Sequence, residues 1–294
     1  MRQWVSVAGV ALALTGMLSA CGSPKSPTAD QKAPHQSHHR KSTRPATPPS
    51  YTPPSTSVPI QSSSIPPVSV VAGPPGFPSI VHMAMQALTG PVTPYALAPT
   101  LTPWAGSGSK VMYYNPTITD ASAANPGLVE QYQVTLTTPP SPVGTYSSAL
   151  YQTAGDAAGA VTPLLKAAGL SFPAQGPAMA IGSGITATSA TVNNLNVLGW
   201  REGQWSVVVA ESHVMPTAEA SQIAAFLHIN YLPAPRPAGT GVGLIIVQLL
   251  PDGVHAQLAW QENQAAYMVE TYPATANPVM TALKMVVTMR KYSG

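Results

Sequence analysis

The sequence predicts an α+β protein: an antiparallel sheet with helices on one face, preceded by a disordered, proline-rich tether. Three observations support this fold class. Residues 22–78 hold 14 of the chain's 33 prolines, alternating strand patterns follow, and a hairpin with a helix behind it occurs twice near the C-terminus. A curved, half-barrel-like sheet is one form that this order allows. We therefore divide the chain into residues 1–20, 21–78 and 79–294.

Residues 1–20 have the features of an export signal. The uncharged apolar stretch from Trp4 to Met17 is shorter than the roughly 20 residues that a membrane-spanning helix needs. The sequence Leu18-Ser19-Ala20-Cys21 resembles a bacterial lipobox. That resemblance implies cleavage before Cys21 and attachment of a diacylglycerol (a palmitate-bearing lipid) to its thiol. Cys21, the only cysteine in the chain, is thus the predicted lipidation site, and the alternative is a secretory signal followed by a stray cysteine.

Residues 21–78 predict a spacer between this anchor and a folded domain. Proline pairs such as Pro48-Pro49 and Pro66-Pro67 favour polyproline II and exclude helix. Apolar residues are too sparse to offset the entropy of ordering the chain. At about 3.1 Å per extended residue, some 55 residues could reach roughly 150 Å. We expect this tether to lift the domain away from the cell membrane on its extracytoplasmic face.

The rest of the chain contains helix and strand patterns in alternation. Short alternating runs that are rich in β-branched residues predict strands, and apolar residues at helical spacing predict helices. Proline residues mark where helices end, and Pro163 weakens one of them internally. In chain order we predict a helix over 79–88, strands over 131–137 and 185–191 with a helix over 154–168 between them, a helix over 217–230 and a strand over 243–250.

The last hundred residues contain an internal repeat. Its two copies cover about 195–231 and 254–291, and matching residues lie sixty positions apart. Each copy reads as a β-hairpin, because the residue at the turn tolerates a positive φ. A helix follows each hairpin; Thr217 is the predicted N-cap of the first, and Asn277, with Pro278 behind it, of the second. The matching residues are Trp200 and Trp260, Glu202 and Glu262, Gly203 and Asn263, and Gln204 and Gln264.

Several of these segments resemble a group of uncharacterised lipoproteins from spore-forming, often acid-tolerant, Gram-positive bacteria. The C-terminal part is also similar to a domain of unknown function found beside anti-sigma proteins. The resemblance covers about residues 92–291, implies an envelope protein and carries no catalytic residue. It rests on Ala98-Pro99-Thr100-Leu101-Thr102-Pro103, Tyr132-x-Val134-x-Leu136, Gly199-Trp200-Arg201-Glu202-Gly203-Gln204-Trp205, Trp260-Gln261-Glu262-Asn263-Gln264 and Ala282-Leu283-Lys284-Met285.

Composition and motifs argue against most kinds of chemistry. A net charge of +3 provides no basic face for a nucleic acid. No nucleophile elbow, metal-ligand spacing or nucleotide-binding loop is present, so we predict no catalytic, metal or cofactor residue. The paired acids Glu202 and Glu262 invite comparison with the carboxylates of glycosidases, and Glu211 with His213 is the nearest acid–base pair. The alternative is that each acid only supports its own turn.

The sequence therefore predicts a non-enzymatic lipoprotein for binding or envelope maintenance. Its expected partners are membrane lipid, through acylated Cys21, and a cell-wall polymer or a protein at an exposed sheet face or loop. Two alternatives stay open. A carrier of lipid or another apolar ligand requires a large cavity between sheet and helices, and a cell-wall hydrolase requires convergent acids. We interpret Trp104, Trp200, Trp205 and Trp260 either as residues that contact a partner or as residues of the core.

Overall fold

The structure is a computed structural model that describes residues 76–103, 112–123 and 125–292. The predicted signal peptide, the lipidation site Cys21 and nearly all of the tether lie outside the described residues, as does Trp104. The described residues therefore belong almost entirely to the predicted extracytoplasmic domain.

Helices and strands alternate along this domain in groups. A 3-10 turn (Thr93–Tyr95) lies between the first helix and the first strand. In chain order the elements are α1 (Ser79–Met85), β1 (Leu97–Pro99), β2 (Tyr113–Ser122), β3 (Asn125–Thr138), β4 (Ser141–Tyr151), α2 (Ala154–Val161), α3 (Leu164–Ala167), β5 (Ala178–Gly182), β6 (Ile185–Val192), β7 (Leu195–Glu202), β8 (Trp205–Glu211), α4 (Thr217–Ile229), β9 (Gly243–Leu250), β10 (Gly253–Glu262), β11 (Ala265–Thr271), α5 (Pro278–Thr288) and β12 (Met289–Lys291).

Ten of the strands form one open sheet in the order β2-β3-β4-β11-β10-β9-β8-β7-β6-β5. All neighbouring pairs are antiparallel except β8 and β9, which run parallel because α4 carries the chain back between them. The remaining two strands, β1 and β12, pair with each other and tie the start of the domain to its end. The predicted α+β class with a mainly antiparallel sheet is confirmed.

Helices cover both faces of this sheet. On one face α1, α4 and α5 bury Val81, Ile223 and Leu283 in a core that also takes Val207 from β8. On the opposite face α2 and α3 cover a smaller core that takes Val208, the next residue of the same strand. The sequence predicted helices on one face only, and that arrangement holds for α1, α4 and α5. The sequence does not predict the second helix layer, because α2 is short and consists mainly of alanine and glycine.

Both predicted hairpins form, and a helix follows each. Glu202 pairs with Trp205 across the first turn, and Glu262 pairs with Ala265 across the second. The residue after each glutamate has a left-handed backbone, with φ of 58° at Gly203 and 55° at Asn263. These are conformations that glycine and asparagine adopt most readily, which explains the choice of residues at the two turns.

The glutamine after each turn residue binds a neighbouring segment in the same way. The side-chain amide of Gln204 donates to the backbone carbonyl of Gly241 (3.2 Å), and the backbone carbonyl of Gln204 accepts from the Gly243 amide (3.3 Å). The side-chain amide of Gln264 donates to the backbone carbonyl of Gln152 (2.8 Å), and the backbone carbonyl of Gln264 accepts from the Tyr151 amide (2.8 Å). Each hairpin end therefore holds the next strand of the sheet through a matched pair of hydrogen bonds.

Helix boundaries follow the capping chemistry only in part. The Asn277 side chain accepts a hydrogen bond from the Met280 amide (3.2 Å) and caps α5, as predicted. Thr217 does not cap α4: it is the first helical residue, and the cap position is Pro216, which has no side-chain hydrogen bond to offer. The helix predicted over 154–168 divides into α2 and α3 at Pro163, which occupies the N-cap position of α3.

Candidate functional site

The tryptophans of the repeated hairpins belong to the core. Trp200, Trp205 and Trp260 are buried on the face covered by α1, α4 and α5. The rings of Trp205 and Trp260 lie 6.1 Å apart across Gly243, and Trp260 stacks on Tyr267 at 5.1 Å. Such contacts stabilise aromatic pairs beyond their burial. For these three residues the core interpretation is correct, and they are not available as contact residues.

The two glutamates that suggested a glycosidase pair do not converge. Both lie at the same end of the sheet, but β8 and β9 separate their strands. Three strand spacings of about 4.8 Å place the two backbones about 14 Å apart, beyond the roughly 6.5–9.5 Å of inverting glycosidases. Glu262 accepts a hydrogen bond from the Trp260 indole (3.0 Å). Glu262 therefore contacts a side chain of its own hairpin and not a second carboxylate.

The Glu211–His213 pair makes no internal contact. No hydrogen bond or ion pair joins the two side chains within the described ranges, and His213 is exposed. Glu211 instead faces Glu219 at the start of α4. Burial, and then the charge of Glu211, raise the pKa of the Glu219 carboxyl above its ordinary value. One Glu219 oxygen is buried without a hydrogen-bond partner, so this group is a source of instability at neutral pH.

In the part of the chain that the structure describes, no three His, Cys, Asp or Glu side chains come together in a way that could hold a metal ion. Of the helices described, none combines the length and the apolar character needed to cross a bilayer.

A broad polar band lies on the sheet surface opposite the main core. It runs across β2, β3, β4 and β11, whose outward residues follow one another in register. We call it the hydroxyl–amide face. Its members are Asn115, Thr117 and Thr119 on β2, Gln131, Gln133, Thr135 and Thr137 on β3, Thr145 and Ser147 on β4, and Met268 and Glu270 on β11.

Exposure changes steadily across this face. The β2 members are exposed, the β3 members are half-buried, and Thr145 and Ser147 on β4 are buried among their neighbours. Toward β10 the cover is provided by α2, whose Ala154 carbonyl accepts a hydrogen bond from Gln261 (2.7 Å). The hydroxyl–amide face is therefore a rigid, hydrogen-bonded surface that is most accessible to solvent at the edge strand β2.

The only carboxylate of the hydroxyl–amide face already has partners. Glu270 accepts hydrogen bonds from the Gln257 amide (2.6 Å) and from the Tyr272 hydroxyl (2.9 Å). The Tyr272 hydroxyl also contacts Thr145 (3.1 Å). Burial, and then the charge of Glu270, raise the pKa of Tyr272, so its hydroxyl stays protonated. Since the face has no lysine or arginine, what it offers a ligand is hydroxyl and amide groups.

A cavity of about 300 Å³ lies on the other side of the sheet, beside α1. We call it the α1 cavity. The His82 ring is buried in its wall and lies 2.6 Å from the Tyr292 hydroxyl and 3.1 Å from the Gln86 amide. Next to it, the Val92 amide donates to the buried Glu130 carboxylate (2.7 Å), which fixes the loop that carries Thr93. The residues that line the cavity are His82, Met85, Gln86, Leu88, Thr93 and Tyr292.

The cavities are small relative to what a carrier of apolar ligands needs. Ligand pockets usually measure about 300–1,000 Å³, and the α1 cavity lies at the lower limit. A second cavity of about 220 Å³ lies between Tyr151 and Asp156, away from the main sheet–helix interface. That interface is filled by side chains such as Leu283 and Val286 of α5. Neither of these two cavities has the size expected of a carrier site, and the carrier interpretation stays a prediction.

Sequence reasoning missed both the hydroxyl–amide face and the α1 cavity. A signal for the first was present, because 131–137 alternates glutamine or threonine with tyrosine, valine or leucine. A polar strand face usually means only solvent exposure, and the matching faces of β2 and β4 were not predicted. No local signal marks the cavity, since His82 and Tyr292 are 210 positions apart.

Comparison with protein-family models, with curated proteins and with solved structures finds no match for this chain.

Proposed function

We propose that this chain is a lipid-anchored extracytoplasmic binding module, without enzymatic activity, that attaches to an uncharged, hydroxyl-rich cell-wall polymer. Acylated Cys21 would hold it to the outer face of the cell membrane, and the proline-rich tether would span the distance to the wall. The hydroxyl–amide face is the observation that supports the binding role. The lipobox-like sequence before Cys21 supports the anchor.

The chemistry of the face favours a neutral glycan over other partners. Threonine hydroxyls and glutamine amides both donate and accept hydrogen bonds, as sugar hydroxyls do. An anionic polymer would lack cations to pair with, because the face contains no lysine or arginine. A protein partner would more often meet aromatic or arginine anchors at the centre of the surface. On this face the centre is formed by Gln133 and Thr135.

The rigidity of the sheet also favours binding. Thr117, Gln133 and Ser147 lie side by side, because β2 pairs with β3 and β3 pairs with β4 in register at these residues. A ligand that binds there does not have to order a loop, so less free energy is lost in immobilising the protein. Weak hydrogen bonds repeated along a polymer can then sum to stable attachment.

The test is co-sedimentation of the purified full chain with insoluble glycan strands from cell walls that have been stripped of anionic polymers. Thr117→Arg places a long charged side chain on the hydroxyl–amide face. Ile118→Arg places the same side chain one residue further along β2, on the opposite face, and is the matched control. Ile118 is 42% exposed, so its strand tolerates the change.

We expect Thr117→Arg to reduce the bound fraction at least tenfold and Ile118→Arg to leave it near that of the wild type. Gln133→Arg, in the centre of the face, should act like Thr117→Arg. Equal loss in both β2 variants, or a wild-type chain that stays in the supernatant, would contradict the proposal. Binding to a protein fraction that Thr117→Arg abolishes would instead make the partner a protein.

A further inference from the structure

The two long helices of the main core, α4 and α5, finish at the same end of the sheet. β8 and β11 run in the same direction, because β8 is parallel to β9 and β10 is antiparallel to both β9 and β11. α4 follows β8 and α5 follows β11, so each helix returns toward the start of its strand. The Trp205 indole at the start of β8 accordingly donates to the Pro233 carbonyl just beyond α4 (3.1 Å).

The end of α4 carries two strongly exposed apolar side chains. Ile229 is 76% exposed and Tyr231 is 93% exposed, the highest fractions among the large hydrophobic residues that the structure describes. Tyrosine is enriched where proteins meet the headgroup region of a membrane, and aliphatic side chains enter the boundary with the acyl chains. This pair therefore has the composition of a membrane contact.

The end of α5 carries a group of cations. Lys284, Arg290 and Lys291 are exposed, and within the described residues no acidic side chain lies within 4.0 Å of their charged atoms. Residues 271–292 contain these three cations and no Asp or Glu, whereas the other described residues contain three Lys or Arg against nine Asp or Glu. Glu262 lies at this end of the sheet but already accepts from the Trp260 indole (3.0 Å).

The chain enters the domain beside these cations. The Phe77 ring contacts the Tyr292 ring, with centroids 5.4 Å apart, and Tyr292 directly follows Lys291. The proposed function connects the residues before Gly76 to the cell membrane. A membrane is then the surface that this end of the domain meets first. We call Ile229, Tyr231, Lys284, Arg290 and Lys291 the helix-end patch.

From the apolar pair, the cations and the entry point of the chain we infer that the helix-end patch docks on the headgroup region of an anionic lipid bilayer. The cations attract the anionic headgroups, and Ile229 and Tyr231 enter the interface. Each cation near such a surface strengthens binding only about fivefold, so docking is reversible. The hydroxyl–amide face, on the other side of the sheet, stays open. The inference takes the nearby membrane from the proposed function, but the vesicle test does not depend on it.

The test places a polarity-sensitive dye on the patch of the full chain with Cys21→Ser, which removes the only native cysteine. Tyr231→Cys carries the dye at the patch. Val214→Cys carries it just before the start of α4, where the native side chain is also exposed (59%). The vesicles contain phosphatidylcholine alone or equal parts of phosphatidylcholine and phosphatidylglycerol. The readout is the dye and not the bound fraction, because the apolar and basic stretches of residues 1–44 can hold the chain on vesicles by themselves.

On the anionic vesicles we expect the dye at position 231 to emit at shorter wavelength and to be quenched by spin-labelled lipid, and the dye at position 214 to do neither. Lys291→Gln should lower the docking equilibrium constant about fivefold. Lys166→Gln, an exposed lysine of α3 on the other side of the sheet, is the matched control and should change nothing. Salt at about 1 M, where charges are screened within about 3 Å, should abolish the shift.

Equal shifts at the two dye positions, equal shifts on neutral and anionic vesicles, or equal effects of Lys291→Gln and Lys166→Gln would each overturn the inference. A shift at position 231 that needs no vesicles and grows with protein concentration would also overturn it, because the patch would then bind a second copy. Ile229→Cys, labelled in the same way, replaces the first reporter if thermal unfolding shows that variant to be unstable. Thr117→Arg should leave the shift unchanged, so failure of docking and failure of glycan binding are distinguishable.

Discussion

Substitution of Gly243 by alanine should destabilise the domain, because the new methyl group would clash with the buried Trp205 ring. A Cβ at this position would lie 2.6 Å from Cδ2 of Trp205 and 2.9 Å from Cγ of Pro235. Carbon atoms in contact prefer about 3.5–4.0 Å, so the indole must move by about 1 Å. It cannot do so freely, because its Nε1 donates to the Pro233 carbonyl (3.1 Å) and its ring contacts Trp260.

Overpacking of this kind typically costs about 1–3 kcal/mol. For a domain of this size, that corresponds to a fall in Tm of ~2–12 °C. Gly159→Ala is the matched control: it is the same substitution inside α2, where no atom lies within 4 Å of the new Cβ. Alanine is the better helix former there, so this variant should gain about 0.5–1 kcal/mol.

Circular dichroism during thermal and urea unfolding measures both variants. A Trp205→Ala background removes the first clash, so Gly243→Ala should cost measurably less there than in the wild type. Strict additivity of the two changes, or a Gly243→Ala variant within about 0.5 kcal/mol of the wild type, would refute the packing argument.

Three further changes test other parts of the molecule. Cys21→Ser should move the protein from the membrane fraction to the medium, because the acyl chains contribute about 0.8 kcal/mol per buried CH₂; retention in the membrane fraction would contradict lipidation. Glu219→Gln should raise Tm at neutral pH. Because the pKa of Glu219 is raised in the folded protein, its protonated carboxyl contributes fully to stability below the pKa of the unfolded chain, and this contribution is lost as pH rises. The advantage of Glu219→Gln over the wild type should therefore vanish near pH 4 or below. Asn277→Ala should lower the free energy of unfolding in urea by about 2 kcal/mol, since it loses the cap of α5 and keeps a left-handed φ of 47°. Asn277→Gly should lower it less, because glycine adopts this φ without strain. Equal losses in the two variants would show that the backbone strain is unimportant.

The C-terminal half of the fold could be predicted because its signals are local. Residues 243–250 alternate little but contain the β-branched run Ile245-Ile246-Val247 and are flanked by glycine and proline, and β9 covers the same range. Gly203 and Asn263 sit at turn positions where few other residues would fit, so the hairpins were visible. At Pro163 a helix cannot continue, and the division between α2 and α3 falls there.

Strands β2 and β4 could not be predicted, because their stability comes from their neighbours, whereas the alternation over 131–137 did predict part of β3. β2 contains Pro116, which usually argues against a strand, yet an edge strand tolerates it. β4 is rich in serine, threonine and glycine, and it becomes a buried central strand only because β3 and β11 enclose it. Both strands belong to the hydroxyl–amide face, so the same missing information hid the candidate site.

The repeated hairpins determine where a neighbouring strand is added but not whether that strand runs parallel. In each unit the carbonyl of the glutamine after the turn accepts a hydrogen bond from the next strand: Gly243 for Gln204 and Tyr151 for Gln264. Gly243 begins β9, whereas Tyr151 ends β4, so the same acceptor receives strands of opposite direction. The hairpin end therefore specifies which edge is extended but not the direction of the added strand. That direction follows from the connection, because α4 returns the chain to the start of β9, while β4 had already been paired with β3 by a tight turn.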